Sequence, residues 1–322
     1  MTTSTPLYTA GLKIGHATDY EKSTGCTVFI CPSDSVGGVD VRGMAPGSRE
    51  TQLLDPIKAV ADVNAILFSG GSAFGLAAAD GVMRNLDERK IGHYTPARNI
   101  PLVPTAIIFD GSVRHAELAD YPALGYAAVE DAFNRGEKPL AQGAVGAGCG
   151  ATVGKWSWDF TRMMKGGIGF ASYRTEDDIE VFAAAVVNAI GDVVNPDGSV
   201  LAGARDLESG GWLVTQNPLR LVQDPRSAAL ENTTLVLIAT NAKLNKIETN
   251  RLAQRGHDGM AIAIRPVHTN HDGDSLFTLS TGNKTGIGFD MLANIGVHCV
   301  EEAIRNAVRE AETMMGVPGL KG

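Results

Sequence analysis

Aromatic residues are scarce in this chain, at 6% of 322 positions, so a core built on stacked rings is not expected. Only four cysteines occur, Cys26, Cys31, Cys149 and Cys299. None forms a C-x-x-C pair, which leaves no material for a disulfide framework and reads as reduced, buried thiols. Basic residues are outnumbered 28 to 36, for a formal net charge of −8. That sign argues against nucleic acid or an anionic membrane surface as a partner. No apolar run approaches the roughly 20 residues that cross a bilayer. The opening MTTSTPLYTA has neither the basic n-region nor the apolar stretch of a signal peptide, so a cytoplasmic protein is expected. No charge block, Pro/Ser linker or internal repeat divides the chain, and a single domain over 1–322 is expected.

What the chain has in plenty is glycine, 38 residues, well above the usual share of about 7%. Many tight turns and close backbone approaches follow from it. Short apolar, β-branched runs at 27–31, 65–68, 105–109, 181–187, 191–194, 233–240 and 276–279 have strand length and turn-forming flanks. Several are apolar at nearly every position, as strands covered on both faces are. Helical periodicity is clearest over 72–86, 246–264 and 289–314. The last carries Glu301, Glu302, Arg305, Arg309 and Glu310 on its polar positions. Sheets sandwiched between helix layers fit this pattern, with alanines allowing close packing.

The glycine-rich loops carry little chemistry. Gly70-Gly71-Ser72-Ala73-Phe74-Gly75 has no Lys-Ser/Thr and is read as a tight strand-to-helix turn. Gly146-Ala147-Gly148-Cys149-Gly150-Ala151 mimics a dinucleotide fingerprint, but no amphipathic helix follows it. Cys149 within that run reads as packing, with Lys155 its nearest basic residue in sequence. Gly282-Asn283-Lys284-Thr285-Gly286 lacks Walker spacing. The densest cluster of functional side chains is His268-Thr-Asn-His271-Asp272-Gly-Asp274. Its two imidazoles and two carboxylates suit a metal site, an Asp-Gly-Asp turn before a strand, or a pair of acids orienting an active-site group. Spacing does not choose among these. His16, His93, His115, His257 and His298 read as surface or satisfied core residues. By residue pattern alone, Asn232-Thr233 is a loop-to-strand junction after a polar stretch running from Gln216.

The run Asn232-Thr-Thr-Leu-Val-Leu-Ile-Ala-Thr240-Asn-Ala resembles the nucleophile strand of the P1/DmpA peptidase family. That family holds L-aminopeptidase/D-esterases, β-peptidyl aminopeptidases and nylon-oligomer hydrolases. Further blocks match it in order. They include Thr24-Gly-Cys-Thr-Val, Gly38-Val-Asp-Val-Arg42-Gly and Ala45-Pro-Gly-Ser-Arg-Glu50-Thr towards the start. Gly70-Gly-Ser-Ala-Phe-Gly, Gly148-Cys-Gly-Ala-Thr-Val-Gly-Lys155 and Lys165-Gly-Gly-Ile-Gly169 follow, and Arg265-Pro-Val-His-Thr-Asn-His-Asp272-Gly-Asp274 comes last. The resemblance spans about residues 11 to 312.

It implies an α/β fold, a four-layer α/β/β/α sandwich, in a homo-oligomer that is often a tetramer. It also implies an N-terminal-nucleophile amidohydrolase that cuts its own chain between Asn232 and Thr233, leaving chains 1–232 and 233–322. A threonine at a strand start suits this. Its hydroxyl can attack the preceding carbonyl, and its freed α-amine, with an ordinary pKa of about 8, can then act as the base. By the same resemblance Lys155 hydrogen-bonds the nucleophile and keeps that amine unprotonated. Asn188 offers a side-chain N–H to the oxyanion, and an asparagine inside an apolar run needs partners in any case. Asp272 and Asp274 support the nucleophile or anchor a substrate amine. Phe109 stands in the substrate pocket where many relatives carry a tyrosine, so any contact needing that hydroxyl is absent. The expected partner is a small amide or peptide, with no cofactor, resident metal, nucleic acid or membrane. The alternatives are a metal-dependent hydrolase using His268, His271, Asp272 and Asp274, and a non-catalytic small-molecule-binding protein on the same fold.

Overall fold

The computed structural model describes residues 7–111, 115–136, 138–213 and 232–322. Most of the polar stretch read as a loop from Gln216 onward therefore lies outside the described residues. Two five-stranded sheets face each other. The first runs, in spatial order, Lys13–Asp19, Thr24–Ile30, Ala65–Ser69, Thr105–Ile107 and Ser48–Arg49. The second runs Val36–Val41, Ser275–Lys284, Thr233–Ala242, Glu180–Asn188 and Gly167–Arg174. Helices α1 (Ala78–Glu88) and α2 (Tyr121–Asn134) pack on the outer face of the first sheet, and α3 (Lys246–Ala263) and α4 (Phe289–Arg309) on that of the second.

Three apolar cores fill the three gaps between layers. One, with Val28, Leu67, Val82 and Val129, lies under α1 and α2. A second, with Phe29, Phe68, Phe182, Leu237 and Phe277, lies between the sheets. The third, with Val236, Ile238, Leu252, Val300 and Ile304, lies under α3 and α4. This is the four-layer α/β/β/α sandwich. It explains why Thr233–Ala242 and Glu180–Asn188 read as continuous apolar runs, since each has a core on both sides. No helix among the described residues is long and apolar enough to cross a membrane.

The expected strands and three expected helices are present, with shifted ends. The helix begun at Ser72 opens as a 3-10 turn, Ser72–Ala77, and becomes α-helical only at Ala78. The C-terminal helix stops at Arg309. Helix α3 starts on a capping box, with Asn245 accepting from Ile247 and Glu248 while Glu248 reaches back to the Asn245 N–H. Layers approach closely where side chains are smallest. At Gly169 a Cβ would stand 2.2 Å from both the Ala303 carbonyl and the Ala307 nitrogen of α4, so backbone meets backbone there. Gly169→Ala is expected to lower unfolding free energy by about 1–3 kcal/mol, the usual cost of overpacking. Urea denaturation of the variant beside the parent checks this, and a change within about 0.5 kcal/mol would overturn the close-approach reading.

Candidate active site

Thr233–Ala242 and Ser275–Lys284 are parallel neighbours, in register Leu235 opposite Ser275. Parallel pairing puts the starts of both strands at the same edge of the sheet. Glu180–Asn188 runs antiparallel on the other side, so its last residue arrives at that edge too, Asn188 opposite Thr233. Three distant stretches of sequence thus deliver Thr233, Asn188 and the Asp272-Gly273-Asp274 turn to one place.

The peptide bond between Asn232 and Thr233 is held from one side by residues 271–273. The Asn232 N–H donates to the His271 carbonyl at 2.8 Å, and the Gly273 N–H donates to the Asn232 carbonyl at 2.7 Å. Thr233 is buried, and its hydroxyl donates to that same Asn232 oxygen at 2.5 Å. A Cβ at Gly273 would stand 2.8 Å from the Thr233 Oγ1, so a side chain there would press on the hydroxyl.

Asn188 is clamped by donors and an acceptor that fix which way its amide points. Lys155 Nζ donates to its Oδ1 at 2.9 Å and to its carbonyl at 3.2 Å, and the Thr152 N–H donates to the Oδ1 at 3.0 Å. Its Nδ2 donates to the Phe109 carbonyl at 2.9 Å. Lys155 therefore reaches Asn188 directly, where the resemblance implied a contact with Thr233. Burial pulls the Lys155 ammonium down to about 7; Asp272 opposes that shift and Lys165 adds to it.

The two acids are equally fixed. Asp272 accepts from the Thr269 N–H at 2.9 Å and the Thr269 hydroxyl at 2.6 Å. Burial, and secondarily Asp274, push its carboxyl up to about 6. Asp274 accepts from the Thr234 N–H at 2.6 Å on one oxygen and from His268 on the other, its N–H at 3.1 Å and Nδ1 at 2.8 Å. His268 continues to His257 and not to His271, whose ring packs edge-on against Trp158 at 5.1 Å. The four residues of the metal reading do not converge, and no group of three or more His, Cys, Asp or Glu among the described residues is arranged to hold a metal ion.

A cavity of about 230 Å³ opens beside Asn232 and Lys155. Phe109, Phe160, Met163, Met314 and Val317 form its apolar wall, while Asp110 and Lys165 bring charge into it. Lys165 stood in the sequence only as the start of a family block, with no role attached, and Asp110 did not stand out at all. Asp110 accepts from the Thr24 hydroxyl and the Gly71 N–H, and Lys165 donates to the Cys149 carbonyl. The basic group beside Cys149 is thus Lys165 rather than Lys155, and burial pushes that thiol up to about 12. His257 and Gly273 were also missed. A turn glycine between two acids was the one local sign of Gly273, and nothing near His257 in sequence pointed to it.

The model of peptidase family S58 matches residues 9–321 of the chain. The chain belongs to that family. An aminopeptidase of Mycobacterium leprae (strain TN), itself uncharacterized, is 37% identical over 344 aligned positions, covering 96% of this chain and 91% of that protein. The 6-aminohexanoate-oligomer endohydrolase of Paenarthrobacter ureafaciens is 36% identical over 278 positions, covering 84% of this chain and 73% of that protein. Among solved structures, the L-aminopeptidase D-Ala-esterase/amidase of Ochrobactrum anthropi, a variant of the Ntn-hydrolase fold, matches with a TM-score of 0.66. It is 18% identical, and the match covers 99% of this chain and 90% of that one. As an S58 peptidase the protein is a hydrolase of amide and peptide bonds, on the four-layer fold the resemblance implied.

The raised Asp272 carboxyl gives a stability test with a definite sign. Its folded pKa, about 6, lies above the ordinary 3.8, so the folded state holds this proton more tightly than the unfolded one. The stability due to it is full below pH 4 and is lost as pH rises towards 6. In a Thr233→Ala background, Asp272→Asn is expected to gain on its parent between pH 4 and 7. The gain is on the order of 2–3 kcal/mol. Urea denaturation at the two pH values measures the gap; a gap that does not change would mean the carboxyl is ionised throughout.

Proposed function

We propose that this protein is made as a precursor that cuts itself between Asn232 and Thr233, and that the new N-terminal Thr233 then hydrolyses short linear amides and peptides. The observation that carries the reading is the scissile carbonyl itself. It lies beside the Thr233 hydroxyl and already accepts the Gly273 N–H. Attack by Oγ1 on the Asn232 carbonyl carbon would put negative charge on the oxygen that Gly273 holds. The Asn232–Thr233 C–N bond then breaks, the hydroxyl's proton ends on the departing amine, and water hydrolyses the resulting ester. The products are chains 1–232 and 233–322.

In turnover the free α-amine of Thr233 serves as base for its own hydroxyl. Lys155, pulled towards neutrality by burial, holds Asn188 and exchanges a proton near working pH. Asn188 keeps one amide hydrogen on Phe109 and has a second to offer the substrate oxyanion. Asp272 and Asp274, fully engaged by Thr269, Thr234 and His268, tune Thr233 and do not reach for a substrate amine.

The apolar wall of the cavity supports substrates with an aliphatic segment, in keeping with the oligoamide named for the Paenarthrobacter relative. An aminopeptidase reading is favoured by one observation, the carboxylate of Asp110 in the same cavity, which suits a substrate ammonium. The family resemblance also supports a cytoplasmic homo-oligomer, with a tetramer as the expected assembly.

Denaturing mass spectrometry on fresh protein tests the reading. Wild type is expected as two chains split at Asn232/Thr233, and Thr233→Ala as one intact chain without amidase activity. An uncut wild type that hydrolyses amides as well as Thr233→Ala does would overturn it. Within the cut enzyme, Asn188→Ala is expected to lower kcat on the order of 10²–10³-fold. Steady-state rates on an amino-acid amide and a short oligoamide measure that loss.

A further inference from the structure

Behind Asp274, away from the cavity, two imidazoles stand in series. Asp274 Oδ2 meets His268 Nδ1 at 2.8 Å, and His268 Nε2 meets His257 Nδ1 at 3.2 Å. His257 Nε2 then meets the Asp40 carbonyl at 3.1 Å and a carboxylate oxygen of Asp40 at 3.3 Å. The His257 side chain is fully buried and Asp274 nearly so. Asp40 is tied at 2.9 Å to the half-exposed Arg42 guanidinium. Among the described residues, Asp40 and Arg42 act on the His257 ring and Asp274 contacts the His268 ring, with Asp272 one residue beyond Gly273.

The hydrogens can be counted. Both ends of the series are acceptors when Asp274 is ionised, and each of the three contacts needs one hydrogen. Two neutral imidazoles carry two ring hydrogens between them. The third contact therefore demands one proton more than two neutral rings supply. Without it one contact would set two lone pairs facing each other deep in the protein, a costly arrangement.

We propose that His257 and His268 act together as positioning residues that share one extra proton, neutralising the buried Asp274 carboxylate and keeping it ionised against the Thr234 N–H at the start of the nucleophile strand. Burial lowers His257 to about 4, and His268 is the ring in hydrogen-bond contact with Asp274. The series also joins the site to the surface at Asp40 and Arg42 by a continuous hydrogen-bonded path. The catalytic consequence rests on Thr233 being the nucleophile; the proton count does not.

The test has two arms. The first uses [15N]histidine-labelled Thr233→Ala protein at pH 7, with His257→Gln and His268→Gln added singly to assign the signals. Three of the four ring nitrogens of the pair are expected to carry hydrogen. Two hydrogens, and so two neutral rings, would overturn the proposal. The second arm is kinetic, in the cut enzyme. Glutamine fills much of the space of a ring and keeps a donor and an acceptor, but it cannot take up the proton. His257→Gln is expected to lower kcat at least about tenfold with KM changed less than about twofold. A loss confined to KM, or none, would overturn it. If wild type never splits at Thr233 yet the three hydrogens are found, the nucleophile assignment has failed and the proton-sharing pair stands.

Discussion

The parallel pairing of Thr233–Ala242 with Ser275–Lys284 is the constraint on which the site depends. Parallel neighbours cannot be joined by a hairpin, and α3 makes the crossover between them. Because both strands start at the same edge, the Gly273 N–H and the Asp274 carboxylate meet the first peptides of the neighbouring strand without any side chain having to reach far. Register matters as much as proximity. A slip by one residue would turn Thr233 to the opposite face and exchange the two cores that its strand separates. Those cores, with Leu235 and Leu237 on one side and Val236 and Ile238 on the other, hold the register by burying both faces.

A second feature is the number of ionisable groups kept from water in one small volume. Lys155, Lys165, Asp272 and Asp274 are all buried, and burial pushes Lys155, Lys165 and Asp272 towards their neutral forms. The arrangement sets opposite signs close together and surrounds each group with hydrogen bonds, which offsets part of that cost. The residue of the cost shows as displacement towards neutrality, with Lys155 at about 7, Lys165 at about 8 and Asp272 at about 6. Groups displaced in this way change protonation near working pH, as proton-transfer chemistry requires.

The legible parts of the fold were those whose pattern arises from burial on both faces. Residues 181–187 and 233–240 read as strands because each lies between two cores. Helix α4 read clearly because its apolar stripe is regular. Gly167–Arg174 was invisible, since two of its residues are glycines chosen for contact with α4 and its far end is exposed. Helix α2 was missed for a related reason. It packs through Gly125 and its alanines against α1, with a Cβ at Gly125 falling 1.9 Å from the Ala78 carbonyl, so it shows little apolar contrast. At the site, Thr233 and Lys155 stood out through family blocks alone, whereas Asn188 had a local sign in its place inside an apolar run and the two aspartates in a dense cluster of functional side chains. His257 could not be found that way. It belongs to the site only because α3 folds back across the turn at His268, and a separation of 11 residues between helix and loop has no periodicity to read.

The same scaffold explains how a chain cut at Asn232–Thr233 would stay assembled. The strand that begins at Thr233 is paired along one edge with Glu180–Asn188 and along the other with Ser275–Lys284. It also has a core against each face. Breaking one covalent bond at its first residue removes none of those ladder hydrogen bonds or apolar contacts. On the other side of the bond, Asn232 keeps its hydrogen bonds with His271 and Gly273. The new amine would therefore remain where the threonine hydroxyl already lies, beside a carboxylate that the Thr234 N–H holds in line. A cut there would be a local event with a small stability cost, because the sheet, and not the peptide bond, fixes the position of Thr233.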